Sequence, residues 1–244
     1  MRYHAGHEIA SHAVGHFNGA TWSAAEWLQE FGSFRDAIDK VAAHNGLSDA
    51  DRLTFSARRV MGFRAPCLAA GPGLYGALKA RGFRYDASRI SPADAWPEKV
   101  DGLWRFNLVP LRINGSRRAT LSMDFNFFMA QSRARNVPYH QEVYGGQMLA
   151  TYLDYFKGSY TGNRAPLHIG HHFAGFQGGV YHDALKAFAR TVCSLPDVRC
   201  TSYEKLADVM DKLAPETLAA YRNGDFPHAE RPALKLAKNR NERP

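Results

Sequence analysis

Residues 62–86, GFRAPCLAAGPGLYGALKARGFRYD, decide the fold class of this chain. Leu74 and Leu78 are four apart in the second half of the stretch, which is the spacing of one helix face. Gly82 is predicted to end the helix, and residues 83–85 are predicted to be extended. A helix that leads directly into a strand is the repeating unit of α/β proteins, so the stretch predicts an α/β fold.

The same alternation continues on both sides of this stretch. An amphipathic helix is predicted from about Ser23 to a stop at residues 45–46, because apolar residues recur at spacings of three and four. Predicted strands lie within residues 102–113 and 166–173, and later predicted helices are residues 181–193 and 202–214. This order suits a barrel or a doubly wound sheet, and periodicity does not separate the two.

Composition indicates one globular domain over residues 1–230, followed by a basic tail at residues 231–244. Of the 244 residues, 45% are hydrophobic and 22% are charged, which excludes the disordered and fibrous classes. The sequence contains no apolar run long enough to span a bilayer, so no transmembrane segment is predicted. Its first ten residues also lack the basic start and apolar core of a secretory signal.

The net charge of +8 has half of its excess in the tail, where five basic residues face one acidic residue. A solvated chain end is one interpretation of the tail, and a docking element for an anionic polymer is the other. Zinc-finger spacing, an RNP-like run and a clear helix-turn-helix pattern are all missing from the sequence. Nucleic acid is therefore not predicted as a partner.

Two of the three cysteines, Cys193 and Cys200, are seven apart. A loop that contains Pro196 and Asp197 could bring them together as a disulfide, which would indicate an oxidising compartment. Two unpaired thiols are the alternative. Cys67 has no cysteine nearby in the sequence.

Four histidines crowd into the first sixteen residues. His12 and His16 are four apart, so in a helical turn their side chains would lie on one face, about 5–6 Å apart, and both could reach one cation. A surface histidine pair is the alternative, because this spacing is common. His7 could not share that face. A catalytic zinc usually has three protein ligands, so a third must come from elsewhere.

Two further segments contain residues suited to catalysis. Arg64, in an R-x-P sequence after a predicted strand, could orient a carboxylate in a bidentate pair, or it could be an ordinary arginine at a loop edge. His168 lies in a predicted strand and would point opposite to Leu167 and Ile169, into a cleft. An imidazole there suits general acid or base chemistry, although three histidines so close could also form a satisfied polar loop.

Taken together and in order, these segments resemble the polysaccharide deacetylase (NodB-homology) family of metal-dependent carbohydrate esterases. GHEIASHAVGH, residues 6–16, is similar to the family's second motif; FRAP, residues 63–66, to the third; and PLHIGHHF, residues 166–173, to the fifth. SPADAWP, residues 91–97, is a weaker match to the fourth. The resemblance spans roughly residues 5–175 and implies a distorted (β/α) barrel.

The resemblance implies a role for each matched residue. His12 and His16 would bind the metal, with zinc the preferred ion, Arg64 would orient the catalytic base, and His168 would be the general acid. Four residues would lie against the substrate: Pro66, Cys67, Trp96 and Leu167. Asp94 would tune His168, and the backbone N–H of Cys67, which stands where the family has an aromatic residue, could face the oxyanion.

The family's first motif, an Asp-Asp pair, has no counterpart here, because the chain begins eleven residues before His12. In the family one aspartate is the general base and the other is the third metal ligand. The expectation is therefore a barrel without its first strand and helix, in an N-terminally incomplete enzyme or in a complete protein that has lost the carboxylates. A third possibility is that Asp124 replaces the missing ligand.

The activity implied by the resemblance is hydrolysis of the acetamide bond in a polymer of N-acetylglucosamine, such as chitin, peptidoglycan or an exopolysaccharide. The alternatives are a non-catalytic saccharide-binding relative and a zinc-stabilised structural protein. The family and the Cys193–Cys200 pair together predict a periplasmic, secreted or cell-surface location.

Overall fold

The computed structural model describes residues 6–48, 53 and 55–225. The unit predicted from residues 62–86 is present: β1 (Gly62–Phe63) is followed by α3 (Pro72–Ala80) and then by β2 (Tyr85–Asp86). The strands β1 and β2 pair in parallel. The chain is therefore of the α/β class, and this unit places Arg64 directly after the end of β1.

The remaining helices and strands alternate along the described chain. The helices are α1 (Ala24–Asp39), α2 (Val41–His44), α4 (Asp124–Ser132), α5 (Gln141–Thr161), α6 (Val180–Val192), α7 (Tyr203–Met210) and α8 (Pro215–Arg222). The strands are β3 (Glu98–Val100), β4 (Leu103–Arg105), β5 (Pro110–Arg112) and β6 (Ala119–Leu121). One sheet has the order β1-β2-β4-β3 with β3 antiparallel, and β5 and β6 form an antiparallel pair.

Isolated parallel bridges extend these sheets. Ser11 pairs with Phe63 beside β1, and Met123 pairs with Gly170 just after β6. Of the predicted strand at residues 166–173, only Gly170 makes such a bridge. The strand pairings of the described residues do not by themselves close a ring, so the complete barrel remains a prediction.

Helix α1 begins as its sequence requires. Ser23 accepts a hydrogen bond from the N–H of Glu26, and the Glu26 carboxylate accepts one from the N–H of Ser23 in return, which forms a capping box. The helix ends at Asp39, and a short α2 ends at the predicted stop, where Gly46 has a φ of +65°. The prediction of a helix from Ser23 to residue 45 was correct except for this break.

Two of the three apolar clusters among the described residues hold α1, α3 and α4 to α6 in place. Trp27 and Phe31 of α1 meet Phe63 of β1 at ring-centroid distances of 5.6 and 5.0 Å, over Leu74 and Leu78 of α3. The second core lies between α4, α5 and α6 and contains Phe127, Tyr152 and Phe188, among others. The first core supports the chain segments before and after β1, where His12 and Arg64 lie.

Cys193 and Cys200 form a disulfide with Cα atoms 5.6 Å apart, whereas Cys67 is a free, exposed thiol. Helices α4, α5 and α8 were not predicted from the sequence. No described helix combines the length and the apolar character that crossing a membrane requires. The basic tail at residues 231–244 lies outside the described residues.

Candidate functional site

His12 and His16 lie in a loop rather than in the predicted helical turn. Ala13 and His16 have positive φ angles of 62° and 51°, which no α-helix accommodates. Ser11 is bridged to Phe63, so the chain enters the loop from an extended conformation. The helical turn that was considered for this pair does not form, and the i, i+4 spacing is accommodated by a tight loop instead.

The loop nevertheless brings the two imidazoles together, with ring centroids 5.0 Å apart and planes at 77°. Two imidazoles on one tetrahedral zinc, with Zn–N distances of about 2.0–2.1 Å, would place their centroids roughly 5 Å apart. The spacing therefore fits two nitrogen ligands of a single ion.

The hydrogen bond of His12 sets its tautomer. Nδ1 of His12 lies 2.7 Å from the carbonyl oxygen of Arg64, 52 residues away. A carbonyl only accepts, so Nδ1 carries the hydrogen and Nε2 keeps a free lone pair. Partial burial, with the nearby charges of His16, Arg64 and His172, lowers the pKa of His12 although the hydrogen bond opposes this. The neutral imidazole that a metal requires is favoured.

Glu30 of α1 holds the loop between the two histidines. One oxygen of its carboxylate accepts hydrogen bonds from the N–H groups of Val14, at 2.7 Å, and Gly15, at 2.8 Å. These charge-assisted bonds satisfy two backbone N–H groups that would otherwise be hydrogen-bonded to water. The carboxylate thereby fixes the distance between His12 and His16 without touching either ring.

We expect Glu30→Ala to lower zinc affinity about tenfold, because second-layer contacts that orient metal-binding histidines typically account for 10–100-fold in affinity. The matched control is Glu30→Gln, whose side-chain oxygen can still accept both N–H groups. Titration calorimetry with zinc would compare the two variants with the wild type. Equal affinity in Glu30→Ala would show that the loop keeps its shape without the carboxylate.

Arg64 and His168 are in direct contact. Nη2 of Arg64 donates to Nε2 of His168, and Nε of Arg64 donates to the carbonyl of Ala87 at 3.2 Å. The Arg64 guanidinium forms no salt bridge with any carboxylate in the described part of the chain. A Cβ at Gly170 would lie 3.3 Å from Nη1 of Arg64, so glycine leaves room for the guanidinium here.

His168 is buried and neutral. Arginine can only donate, so Nε2 of His168 accepts and the hydrogen lies on Nδ1, which has no partner among the described residues. Burial first, and the charge of Arg64 second, lower the pKa of His168 to about 3, against a smaller opposing effect of the backbone at Phe106 and Asn107. The ring of Tyr203 stands edge-on to it at 5.0 Å.

This burial predicts sensitivity to acid. The unfolded chain binds a proton at His168 near pH 6.5, whereas the folded chain does so only near its pKa of about 3. The stability contribution is complete above pH 6.5 and is lost as the pH falls toward 3, by about 2 kcal/mol at pH 5.

Urea unfolding at pH 7 and pH 5 measures the effect, and His168→Gln should reduce the difference between the two by about that amount. Burial lowers the pKa of His171 to about 4, so His171 should account for part of the difference between pH 7 and pH 5 that remains in His168→Gln. An unchanged difference in His168→Gln would contradict the assignment.

Three predicted site residues line one cavity. Trp96, Leu167 and His168 surround it with Asn107 and Tyr203, and about 20 Å³ is open to the centre of a water-sized sphere, which is room for a single water. The indole Nε1 of Trp96 donates to the carbonyl of Asn163 at 2.8 Å, which fixes the ring. In this conformation the cavity is narrower than an acetyl group.

The other predicted residues are placed differently. Pro66 is buried and begins a short 3-10 turn in which Cys67 has a φ of 57°. Among the described residues the N–H of Cys67 meets no acceptor, so this donor is open to a ligand. Asp94 is exposed, and its carbonyl, not its carboxylate, accepts a bond from Asn163. No hydrogen bond joins Asp94 to His168 in the described part of the chain.

Asp124 was considered only as a possible replacement for the missing metal ligand, and no role was predicted for His172. The N–H of Asp124 donates to the carbonyl of Gly170 at 3.1 Å, which places the start of α4 beside the segment that contains His168. Its buried carboxylate accepts from Nδ1 of His172 at 2.6 Å. The two residues are 48 positions apart in the sequence, and no local pattern predicted their contact.

No cluster of three His, Cys, Asp or Glu side chains in residues 6–48, 53 and 55–225 is compact enough to hold a metal ion. The His12–His16 pair therefore offers two candidate nitrogen ligands, without a third such side chain beside it among the described residues.

No protein-family model matches this chain, and no curated protein matches it either. Among solved structures, the chain is similar to one from Mycobacterium smegmatis described as a "putative polysaccharide deacetylase". The match has a TM-score of 0.58 at 19% sequence identity and covers 87% of this chain. It covers 66% of the solved chain, just under two thirds of its length. At this identity the likeness shows a shared fold.

Proposed function

We propose that this chain carries the core of a polysaccharide deacetylase that hydrolyses the acetamide of N-acetylglucosamine polymers with the help of zinc. One observation carries the proposal: the His12–His16 pair and the Arg64–His168 pair are joined by the 2.7 Å bond from Nδ1 of His12 to the Arg64 carbonyl. The side chains proposed for metal binding and for proton transfer are thus connected through Arg64. The shared fold supports this assignment.

Zinc fits the donors that are present. His12 and His16 would hold it through ring nitrogens, and the Arg64 carbonyl already orients His12 as second-layer partners of zinc-binding histidines do. A bound zinc polarises the acetamide carbonyl and lowers the pKa of a bound water to about 7.

Arg64 has two tasks in the proposal. Its guanidinium is without a salt-bridge partner in the described chain and can hold a carboxylate in a bidentate pair. Such a carboxylate would compete for the guanidinium with Nε2 of His168. Once released, Nε2 would be free to carry a proton, and the effect of Arg64 on the pKa of His168 would weaken because its charge would be balanced.

His168 would then protonate the nitrogen that leaves as the acetamide C–N bond breaks. The open N–H of Cys67 would donate to the oxygen on which negative charge develops. Trp96 and Leu167 would border the acetyl methyl once the cavity beside His168 widens. The products are acetate and a free amino sugar.

The test is incubation of the full chain with zinc and N-acetylglucosamine oligomers, followed by mass spectrometry for the loss of acetyl groups. Deacetylation that a chelator abolishes would support the proposal. If the chain neither deacetylates nor binds any N-acetylated glycan, the proposal is refuted. The disulfide between Cys193 and Cys200 favours an oxidising location, which matches a cell-wall or extracellular substrate.

A non-catalytic saccharide-binding protein is the second candidate. Two observations favour it: the described residues supply only two metal ligands, and Arg64 occupies Nε2 of His168. In the family that the sequence resembles, an Asp-Asp segment supplies the third ligand and the base. Glycan binding without turnover, with activity gained when such a segment is joined to the chain, would separate the two candidates.

A further inference from the structure

Asp124 and His172 form a carboxylate–histidine pair, an arrangement that suits the histidine to accept a proton. We propose that His172, held by the buried carboxylate of Asp124, accepts the proton of the attacking water. The inference rests on the proposed function and deepens it, since it assigns the base from within the described chain.

The Asp124 carboxylate is 1% exposed and fully engaged. It accepts from the N–H of Phe125 at 2.7 Å, from the N–H of His172 at 2.9 Å and from Nδ1 of His172 at 2.6 Å. With these three donors around it, the carboxylate is a fixed acceptor, and none of its bonds can be broken cheaply. Asp124 is therefore a positioning residue. Because its oxygens are already engaged, they are not available to take the proton of the attacking water.

The contact with Asp124 determines which nitrogen of His172 is available. The carboxylate accepts, so Nδ1 carries the hydrogen and Nε2 has the lone pair. Nε2 meets no donor or acceptor in the described part of the chain, and the side chain is 46% exposed. Phe125 and Phe176 flank the ring with centroids at 6.2 and 6.1 Å, which restricts its rotation.

The neighbouring histidines are not arranged in this way. His171 is 8% exposed and its Nε2 lies 3.1 Å from the hydroxyl of Tyr152, so it faces the core. Nε2 of His182 lies 2.9 Å from the carbonyl of His172 and is thereby occupied. Of these three, only His172 combines a buried carboxylate on one nitrogen with an open second nitrogen.

His172 also lies at the proposed site. Gly170, two residues earlier, borders the guanidinium of Arg64 and pairs with Met123. Arg64 in turn accepts the hydrogen bond from Nδ1 of His12 through its carbonyl, so the segment that contains Gly170 and His172 passes beside the residue that orients His12. A water held beside His12 and His16 would have the open nitrogen of His172 as a nearby acceptor.

The step balances without a further reactant. One O–H bond of the water breaks and its proton moves to Nε2 of His172, while the oxygen forms a bond to the acetamide carbon. The C–N bond then breaks, its electron pair stays on nitrogen, and a proton is delivered to that nitrogen. His172 can return the proton it took. Alternatively, His168 takes a proton from solvent at Nε2 once Arg64 has released it and passes that proton to the nitrogen, while His172 gives the proton it took back to solvent.

The experiment compares the wild-type chain with His172→Ala, Asp124→Asn and the control His44→Ala, an exposed histidine at the end of α2. With zinc and N-acetylglucosamine oligomers, we expect kcat to fall at least about 100-fold in His172→Ala with zinc content unchanged, and added imidazole to restore part of it. Asp124→Asn should lower kcat more than KM, because the ring loses its fixed tautomer. His44→Ala should behave as the wild type.

Two measurements do not depend on the glycan. Nitrogen-15 NMR of the wild type should show the hydrogen of His172 on Nδ1, and a mixture of tautomers in Asp124→Asn. Hydrolysis of 4-nitrophenyl acetate should be faster in the wild type than in His172→Ala. If glycans are untouched but both results hold, the base assignment stands and the polysaccharide function fails.

Three results would overturn the assignment. His172→Ala could hydrolyse both substrates at the wild-type rate, the hydrogen of His172 could lie on Nε2, or His172→Ala could lose its zinc. The last result would make His172 a metal ligand instead of a base.

Discussion

His12→Ala should abolish stoichiometric zinc binding and reduce deacetylation to background. His12 supplies one of the two ring nitrogens that the described chain can offer to the metal, and its ring is already oriented by the Arg64 carbonyl. One imidazole cannot retain the ion where a zinc site normally has three protein ligands. The loss of affinity should exceed the roughly 10–100-fold that removal of an orienting partner causes.

Metal analysis after gel filtration and zinc titration calorimetry would measure the first effect, and mass spectrometry of the oligomers would measure the second. His7→Ala is the matched control, because His7 belongs to the same motif but is predicted not to bind the metal. Stoichiometric zinc in His12→Ala would mean that the ligand assignment is wrong. Loss of zinc in His7→Ala would move His7 into the site.

His168→Gln should lower turnover by about 100- to 10,000-fold, the usual contribution of a positioned acid or base, while zinc binding stays nearly intact. His168 contacts Arg64 through Nε2 and is buried beside Trp96 and Leu167, and no hydrogen bond joins it to His12 or His16 among the described residues. Glutamine preserves an acceptor for Arg64 but cannot carry the proton. The two effects should therefore separate.

Steady-state kinetics on N-acetylglucosamine oligomers and zinc titration of the same samples would test this, with His44→Gln as the control. Equal turnover in His168→Gln would exclude His168 as the acid, and the Arg64 contact would then be structural. Loss of zinc would place His168 among the metal ligands. A kcat that falls while the chain keeps its metal and its fold is the outcome that the geometry supports.

The elements built from local signals were predicted correctly. The apolar spacing after Ser23, the spacing of Leu74 and Leu78, and Gly82 all act within a few residues, and the helices and strand they predict are present. Helix α5 was missed because three glycines and many aromatic residues obscure its pattern, although the core holds it as a single helix of 21 residues. In such a segment tertiary packing outweighs the local helix propensity of the residues.

The site shows the same contrast between what local sequence predicts and what tertiary contacts decide. Motif order alone placed His12, His16, Arg64 and His168 together, and the contacts His12–Arg64 and Arg64–His168 agree with that grouping. The conformation around His12 was wrongly predicted, because the carboxylate that shapes the loop belongs to Glu30, in the next helix.

The sequence by itself determined the α/β class and the helices with regular spacing, and it supplied the residues that are proposed for the site. Only the tertiary structure decided that His168 is neutral against Arg64, that Asp94 stays away from it, and that Asp124 holds His172. The physical reason is range: caps and periodicity act over one or two turns of chain, whereas these contacts join residues 48 to 104 positions apart. The geometry of these contacts depends on how the strands align and on which charges are buried. The spacing of residues along the chain predicts neither.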